Sequence, residues 1–133
     1  MPDSADPSTI GSAHHDVDDE PLDPEDTKLV TLARSSRVRA GAAEGAAVRD
    51  ETGRTYTAAT VALASLPLSA LRAAVVLAAS SGATSLEAAA VVRDDTDHAL
   101  PADDAAAVRD LGGAWTPIYV ADTDGVLRAT VRT

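Results

Sequence analysis

Arg72 is the first side chain to question for chemistry. It is the only charged residue in the run LPLSALRAAVVLAASSG, residues 66–82. It falls in the first turn of what reads as a helix, at the end where the helix dipole is already positive. A cation beside free backbone N–H groups suits an anion, either a phosphate or a carboxylate. Other reactive residue types are sparse. The chain has no cysteine, which removes disulfides, zinc ribbons and thiol nucleophiles together. His14 and His15 are adjacent but have no third metal ligand near them, and they read as part of a solvated tail. His98 lies in the acidic loop DDTDHALP and reads as solvated too, so no Ser-His-Asp set is formed. The DTDG at 122–125 resembles the opening of a calcium loop. It lacks the third acidic position and the closing glutamate that such a loop needs, and it reads as a hairpin turn. GAAEG at 41–45 precedes a strand instead of opening a helix, which excludes a phosphate-binding loop.

The elements that would position these residues follow from periodicity and punctuation. Asp23 as a cap, Pro24 at the first helical position and Glu25 and Asp26 in the first turn open a helix with a partial apolar stripe of Leu29, Val30, Leu32, Ala33 and Val38. Two extended runs, 45–50 and 54–62, flank the turn signal ETGR. Pro67 and Ser69 open an apolar helix over 69–80, which Gly82 ends. LEAAAVVRDD reads as a buried strand. PADDAAAVRDLGG reads as a second helix, with Pro101 near its start and Asp103 and Asp104 in its first turn. TPIYVADTDGVLRATV closes as two strands around a DG turn. The order α-β-β-α-β-α-β-β predicts a layered α/β domain with a mixed sheet over residues 24–133. Residues 1–23 combine Pro, Ser, Gly and acids without periodicity and predict a disordered acidic tail.

The net charge of −10 belongs mostly to that tail: nine of the 21 acids lie in residues 1–26, which hold no Lys or Arg. The remaining twelve acids face all eleven bases. Neither part has the basic face that nucleic acid or an anionic membrane requires. With no run of 18 apolar residues and an acidic start, neither a membrane span nor a signal peptide is expected, and the expected location is cytoplasmic. The chain has no Phe, one Trp and two Tyr, and alanine fills much of the apolar quota. Alanine buries little area per residue, so modest stability as a monomer and a motive to associate are expected.

Taken together, EGAAVRDETGRTYTAATVALAS, AAVVRDDTDHALPADDAAAVRDL and TPIYVADTDGVLRATV resemble the cytidine deaminase family over about residues 27–132. That family has a strand pair reading roughly VGAA…DG-R-x-Y-T-G-x-N-V-E-x-A-S, a helix beginning C-A-E, and a strand in A-V-V leading to P-C-x-x-C on a second helix. The resemblance implies a three-layer α-β-α domain with a five-stranded mixed sheet. It also implies a zinc ion that makes water nucleophilic and a carboxylate that shuttles protons. Here the three cysteine positions fall on Ala70, Ala102 and Ala105, and methyl groups cannot coordinate a metal. The glutamate position falls on Arg72, which stays protonated. The family's Asn and Glu that hold the ribose correspond to Thr60 and Ala62, and the aromatic that packs on the base corresponds to Ala42.

In the family both helix N-termini point at the metal. Its loss leaves a vestigial pocket in which Arg72 would pair with Asp103 or with Asp104. The leading expectation is therefore a non-catalytic cytidine deaminase-like protein without zinc, acting as an interaction or scaffold protein. Its partner would be a second copy, as a dimer or tetramer such as family members commonly form, or another protein. A module that binds a nucleoside or anion without chemistry is the alternative. A hydrolytic cytidine deaminase, as the family label would imply, is the third reading.

Overall fold

The computed structural model describes residues 14–16 and 22–133. The elements are β1 (His14–Asp16), α1 (Pro24–Ala40), β2 (Glu44–Asp50), β3 (Thr55–Ala59), β4 (Val61–Leu63), β5 (Leu66–Leu68), α2 (Ala70–Ser80), β6 (Leu86–Arg93), α3 (Ala102–Gly112), β7 (Pro117–Ala121) and β8 (Leu127–Arg132). The main sheet runs β1-β8-β7-β6-β2-β3, and β4 and β5 form a separate hairpin. The β6–β7 pair is parallel and every other pair antiparallel. The five strands from β8 to β3 are the mixed sheet the sequence predicts.

Three differences from the sequence reading matter. His14–Asp16 adds a sixth strand on the edge of β8, with His14 opposite Arg132 and Asp16 opposite Thr130. The rest of the expected tail, apart from Leu22 and Asp23, lies outside the described residues. The second extended run stops at Ala59, and Val61–Leu68 turns back on itself as the hairpin β4–β5 before the helix begins. Asp23 occupies the position before α1 but its carboxylate caps nothing; its backbone oxygen accepts from Asp26 and Thr27 at 2.9 Å each.

The sheet has a core on each face. On one side α1 buries Leu29, Val30 and Ala33 against Ala47, Ala88, Ala90, Val92 and Tyr119. On the other, α2 and α3 bury Leu71, Ala74, Val75, Ala78 and Val108 against Ala46, Val48, Ala89, Val91 and Ile118. The alternation Ala46/Ala47/Val48 along β2 sends successive side chains to opposite layers, as strand geometry requires. Strand β6 lies mid-sheet and is covered on both faces, which explains its almost continuous apolar run. The helix α2 is not buried all round: Val76 and Leu77 are about half exposed. Helix α1 crosses β2 so closely at Gly45 that a Cβ there would overlap the Ala33 carbonyl oxygen.

The hairpin β2–β3 is held at its turn by one carboxylate. Asp50 Oδ1 accepts from Thr52 N at 2.8 Å, Thr52 Oγ1 at 2.6 Å and Arg54 N at 3.0 Å, while Oδ2 accepts from Tyr56 Oη at 2.7 Å. These donors, the Thr52 hydroxyl foremost, pull the Asp50 pKa down to about 2. A carboxyl whose folded pKa is depressed stabilises the fold above its unfolded value of about 3.9, and that contribution fades as pH falls through the folded value. Acid titration should therefore show a loss of stability between about pH 4 and about pH 2. In Asp50→Asn that part of the loss should be absent, with lower stability at neutral pH. Thermal melts of both proteins at pH 2, 4 and 7 check this.

Candidate functional site

The site sits where α2, α3 and β2 begin and where β6 ends. Ser69 is the cap of α2: its Oγ accepts from Arg72 N at 3.2 Å and donates to Asp104 Oδ1, 2.8 Å away in the first turn of α3. One hydroxyl thus ties the two helix starts together. Asp104 is only 2 % exposed, and its second carboxylate oxygen is buried without a hydrogen-bond partner. Burial pushes the Asp104 pKa up; the Ser69 bond and the positive fields of Arg72 and Arg93 pull against that, and Asp103 adds to it.

A second pair lies alongside. Sheet register sets Glu44 of β2 directly opposite Arg93 of β6, and the Arg93 Nε lies 3.3 Å from Glu44 Oε2. Nε itself is buried without a hydrogen-bond partner, while a terminal nitrogen of the same guanidinium donates to the His98 carbonyl at 3.4 Å. Burial raises the Glu44 pKa despite Arg93, and the nearby Asp104 charge adds to the rise. The Glu44 backbone is fixed by Thr60, whose hydroxyl accepts from Glu44 N at 2.9 Å. Ser69, Arg72, Asp104, Glu44 and Arg93 therefore form one electrostatic cluster, with Thr60 bracing its edge.

The candidate residues named from sequence divide accordingly. Ala70 is fully buried at the start of α2, and Arg72 is half-buried beside it. No ion pair joins Arg72 to Asp103 or Asp104 among the described residues. The direct pair expected from sequence is replaced by the Ser69–Asp104 bond, with Arg72 acting on Asp104 through space. Arg72 and the positive helix ends favour the ionised form of Asp104, and its burial opposes them. Asp103 is exposed. Ala102 and Ala105 lie along a groove between α3 and β8, on a different side of the helix from Asp104. Ala42 is half-buried between α1 and β2, and Ala62 is exposed, opposite Pro67 in the β4–β5 hairpin. The sequence reading missed Ser69, Glu44 and Arg93 as site residues. Glu44 had left a signal, because it stands where the resembling pattern VGAA carries valine.

The family model described as cytidine deaminase-like matches residues 22–125. The chain belongs to that family. A cytidine deaminase from Burkholderia pseudomallei superposes with a TM-score of 0.68 at 21% identity, covering 77% of this chain and 88% of that one. One from Mycobacterium leprae gives 0.62 at 19%, covering 80% and 94%. One from Mycobacterium tuberculosis gives 0.60 at 27%, covering 72% and 85%. Among curated proteins none matches in sequence.

A cytidine deaminase-like domain implies a zinc ion, so the donor set at this cluster has to be tested against one. Zinc takes thiolate, imidazole or carboxylate donors, usually four in a tetrahedron. The side chains at 70, 102 and 105 are methyl groups without lone pairs, and the chain has no cysteine to replace them. The cluster's two carboxylates face other partners, Asp104 bonding Ser69 through one oxygen and Glu44 pairing with Arg93. Two guanidinium groups, Arg72 and Arg93, share the space and would repel a dication. Among the described residues, no three His, Cys, Asp or Glu side chains converge to hold a metal. The residues present do not fit zinc.

Proposed function

We propose that this member of the cytidine deaminase-like family is non-catalytic and works as an interaction or scaffold protein, assembling with a second copy or with another protein. The observation that carries this reading is the ionic cluster at the helix starts. Asp104, Ser69, Glu44 and Arg93 fill with mutual contacts the place where a deaminase needs open metal ligands and a free proton shuttle. Arg72, which stays charged, can take no part in moving a proton.

Association is supported by what remains exposed. Leu63 and Leu66, opposite each other in the β4–β5 hairpin, are 60% and 52% exposed, and Val76 and Leu77 of the following helix α2 are about half exposed. Apolar groups of this size stabilise a protein more when a partner covers them.

The test joins three measurements on the full chain: zinc content, ammonia release from cytidine, and mass in solution at micromolar concentration. The expected result is no stoichiometric zinc, no turnover and a mass above the monomer. Zinc at one per chain with turnover would establish a hydrolytic deaminase that uses other ligands. A strict monomer would remove self-assembly and leave a hetero-partner. A rise in melting temperature with a nucleoside or simple anion, in an inactive monomer, would instead favour a binding module.

A further inference from the structure

The chain has one Trp, two Tyr and no Phe. A core so poor in large side chains would gain from burying the indole, yet Trp115 stands 61% exposed in the loop between α3 and β7. Its φ is +71°, the only positive value at a non-glycine among the described residues. That region of backbone space disfavours a bulky side chain, so the surrounding structure has to hold it there. Two threonines do so. Thr116 Oγ1 and Thr133 Oγ1 donate to the Gly113 carbonyl at 3.1 and 2.7 Å, and Thr133 Oγ1 accepts from Thr116 N at 3.1 Å. Thr133 N donates to the Thr116 carbonyl at 3.1 Å. The backbone on both sides of the indole is fixed before any partner arrives, which is how a rigid aromatic anchor is presented.

The same Thr133 lines a groove of about 460 Å³ between α3 and β8. Trp115 is not among the residues lining it. Leu100, Ala105 and Val131 are half-buried along the groove, and Ala102, Ala106 and Arg109 stand exposed on its α3 wall. The alanines leave width for an aromatic ring, and the volume lies within the range of small-molecule sites. Arg109 forms no ion pair with another described residue, and no Asp or Glu lines the groove. A guanidinium in that setting stacks on the face of an indole.

We propose that Trp115 of one copy seats in the α3–β8 groove of a second copy, with its ring against Leu100 and Val131 and one face under Arg109. Because Thr133 braces the anchor and also lines the groove, the two lie side by side on one surface. A two-fold axis between them lets each copy fill the other's groove, so the contact closes on itself. The inference rests on the reading that a second copy is the partner. It adds a contact to the exposed apolar groups of the β4–β5 hairpin and α2.

The single tryptophan gives the test its signal. Trp115→Gly keeps the left-handed backbone and removes the only indole, so it supplies an empty groove that is silent in tryptophan fluorescence. Ala106→Glu keeps the indole but fills the groove, and its carboxylate, one turn before Arg109, takes up that charge. Titrating Trp115→Gly into Ala106→Glu should move the emission to shorter wavelength and saturate, as one indole of the pair leaves water. The double variant as titrant should give no shift. Each single variant alone should have half the parent's mass in solution. A cooperative thermal melt from each variant establishes that it folds. A parent-like mass in both single variants, without an emission shift, would overturn this contact and leave self-assembly through another surface standing. Equal shifts with the two titrants would overturn it as well, since the indole would then lie outside the groove. A parent that is monomeric at every concentration would overturn it together with the reading it rests on.

Discussion

Gly45→Ala is expected to cost about 3 kcal/mol, lowering the melting temperature by roughly 10 °C for a domain of this size. The reason is geometric. A Cβ at position 45 would overlap the Ala33 carbonyl oxygen and stand 2.7 Å from Arg37 N and 2.8 Å from Arg37 Cβ. Two of those three atoms belong to the backbone of α1, so no rotamer change relieves the overlap; the helix must lift off the sheet. Lifting it loosens Leu29, Val30 and Ala33 from Ala47, Ala88 and Ala90, the whole core on that face. Gly53 is the matching control. Its φ is +87° at the hairpin turn, and a Cβ there meets nothing within 4 Å, so Gly53→Ala costs only the left-handed backbone penalty of about 1 kcal/mol. Paired denaturant titrations measure both. A Gly45→Ala protein no less stable than Gly53→Ala would mean that α1 sits further from β2 than described.

How much of this was legible in the sequence depended on whether a residue's partner was local. The turn ETGR between two extended runs gave the β2–β3 hairpin, since its signal lies within a few residues of the contacts it makes. The run LEAAAVV gave a buried strand, and its mid-sheet position accounts for that composition. The β4–β5 hairpin was not legible, because LPL carries a proline and its pairing of Val61 with Leu68 is set by the chain's return rather than by alternation. The strand His14–Asp16 has no apolar period at all; only the backbone register against β8 defines it. At the site, Asp104 and Arg72 were readable as charges at helix starts. Glu44 and Arg93 became a pair only through register across the sheet, 49 residues apart in sequence. Ser69 was readable as a helix opener, but its bond to Asp104 needed the two helix starts to be adjacent.

Asp104→Asn is expected to be more stable than the parent at pH 8, by about 1–2 kcal/mol, with the difference shrinking towards pH 4. The sign follows from linkage. Burial raises the folded pKa of Asp104 above the unfolded value of about 3.9. Below that value the group is protonated in both states and ionisation costs nothing. As pH rises the unfolded chain ionises freely while the folded one resists, so stability is lost as pH passes through the raised folded pKa. Asparagine imitates the protonated acid. Its carbonyl oxygen still accepts from Ser69, and its amide takes the place of the carboxylate oxygen that now has no partner. Glu44 is shifted the same way by burial, so the variant keeps a smaller pH slope of the same sign. The quantity to measure is the change in melting temperature between pH 4 and pH 8 in parent and variant, which cancels any fixed cost of the substitution. A larger fall in the variant than in the parent would reverse the argument. The fields of Arg72 and Arg93, together with two helix dipoles, would then outweigh burial, and the ionised Asp104 would be the counter-ion that holds the two helix starts together.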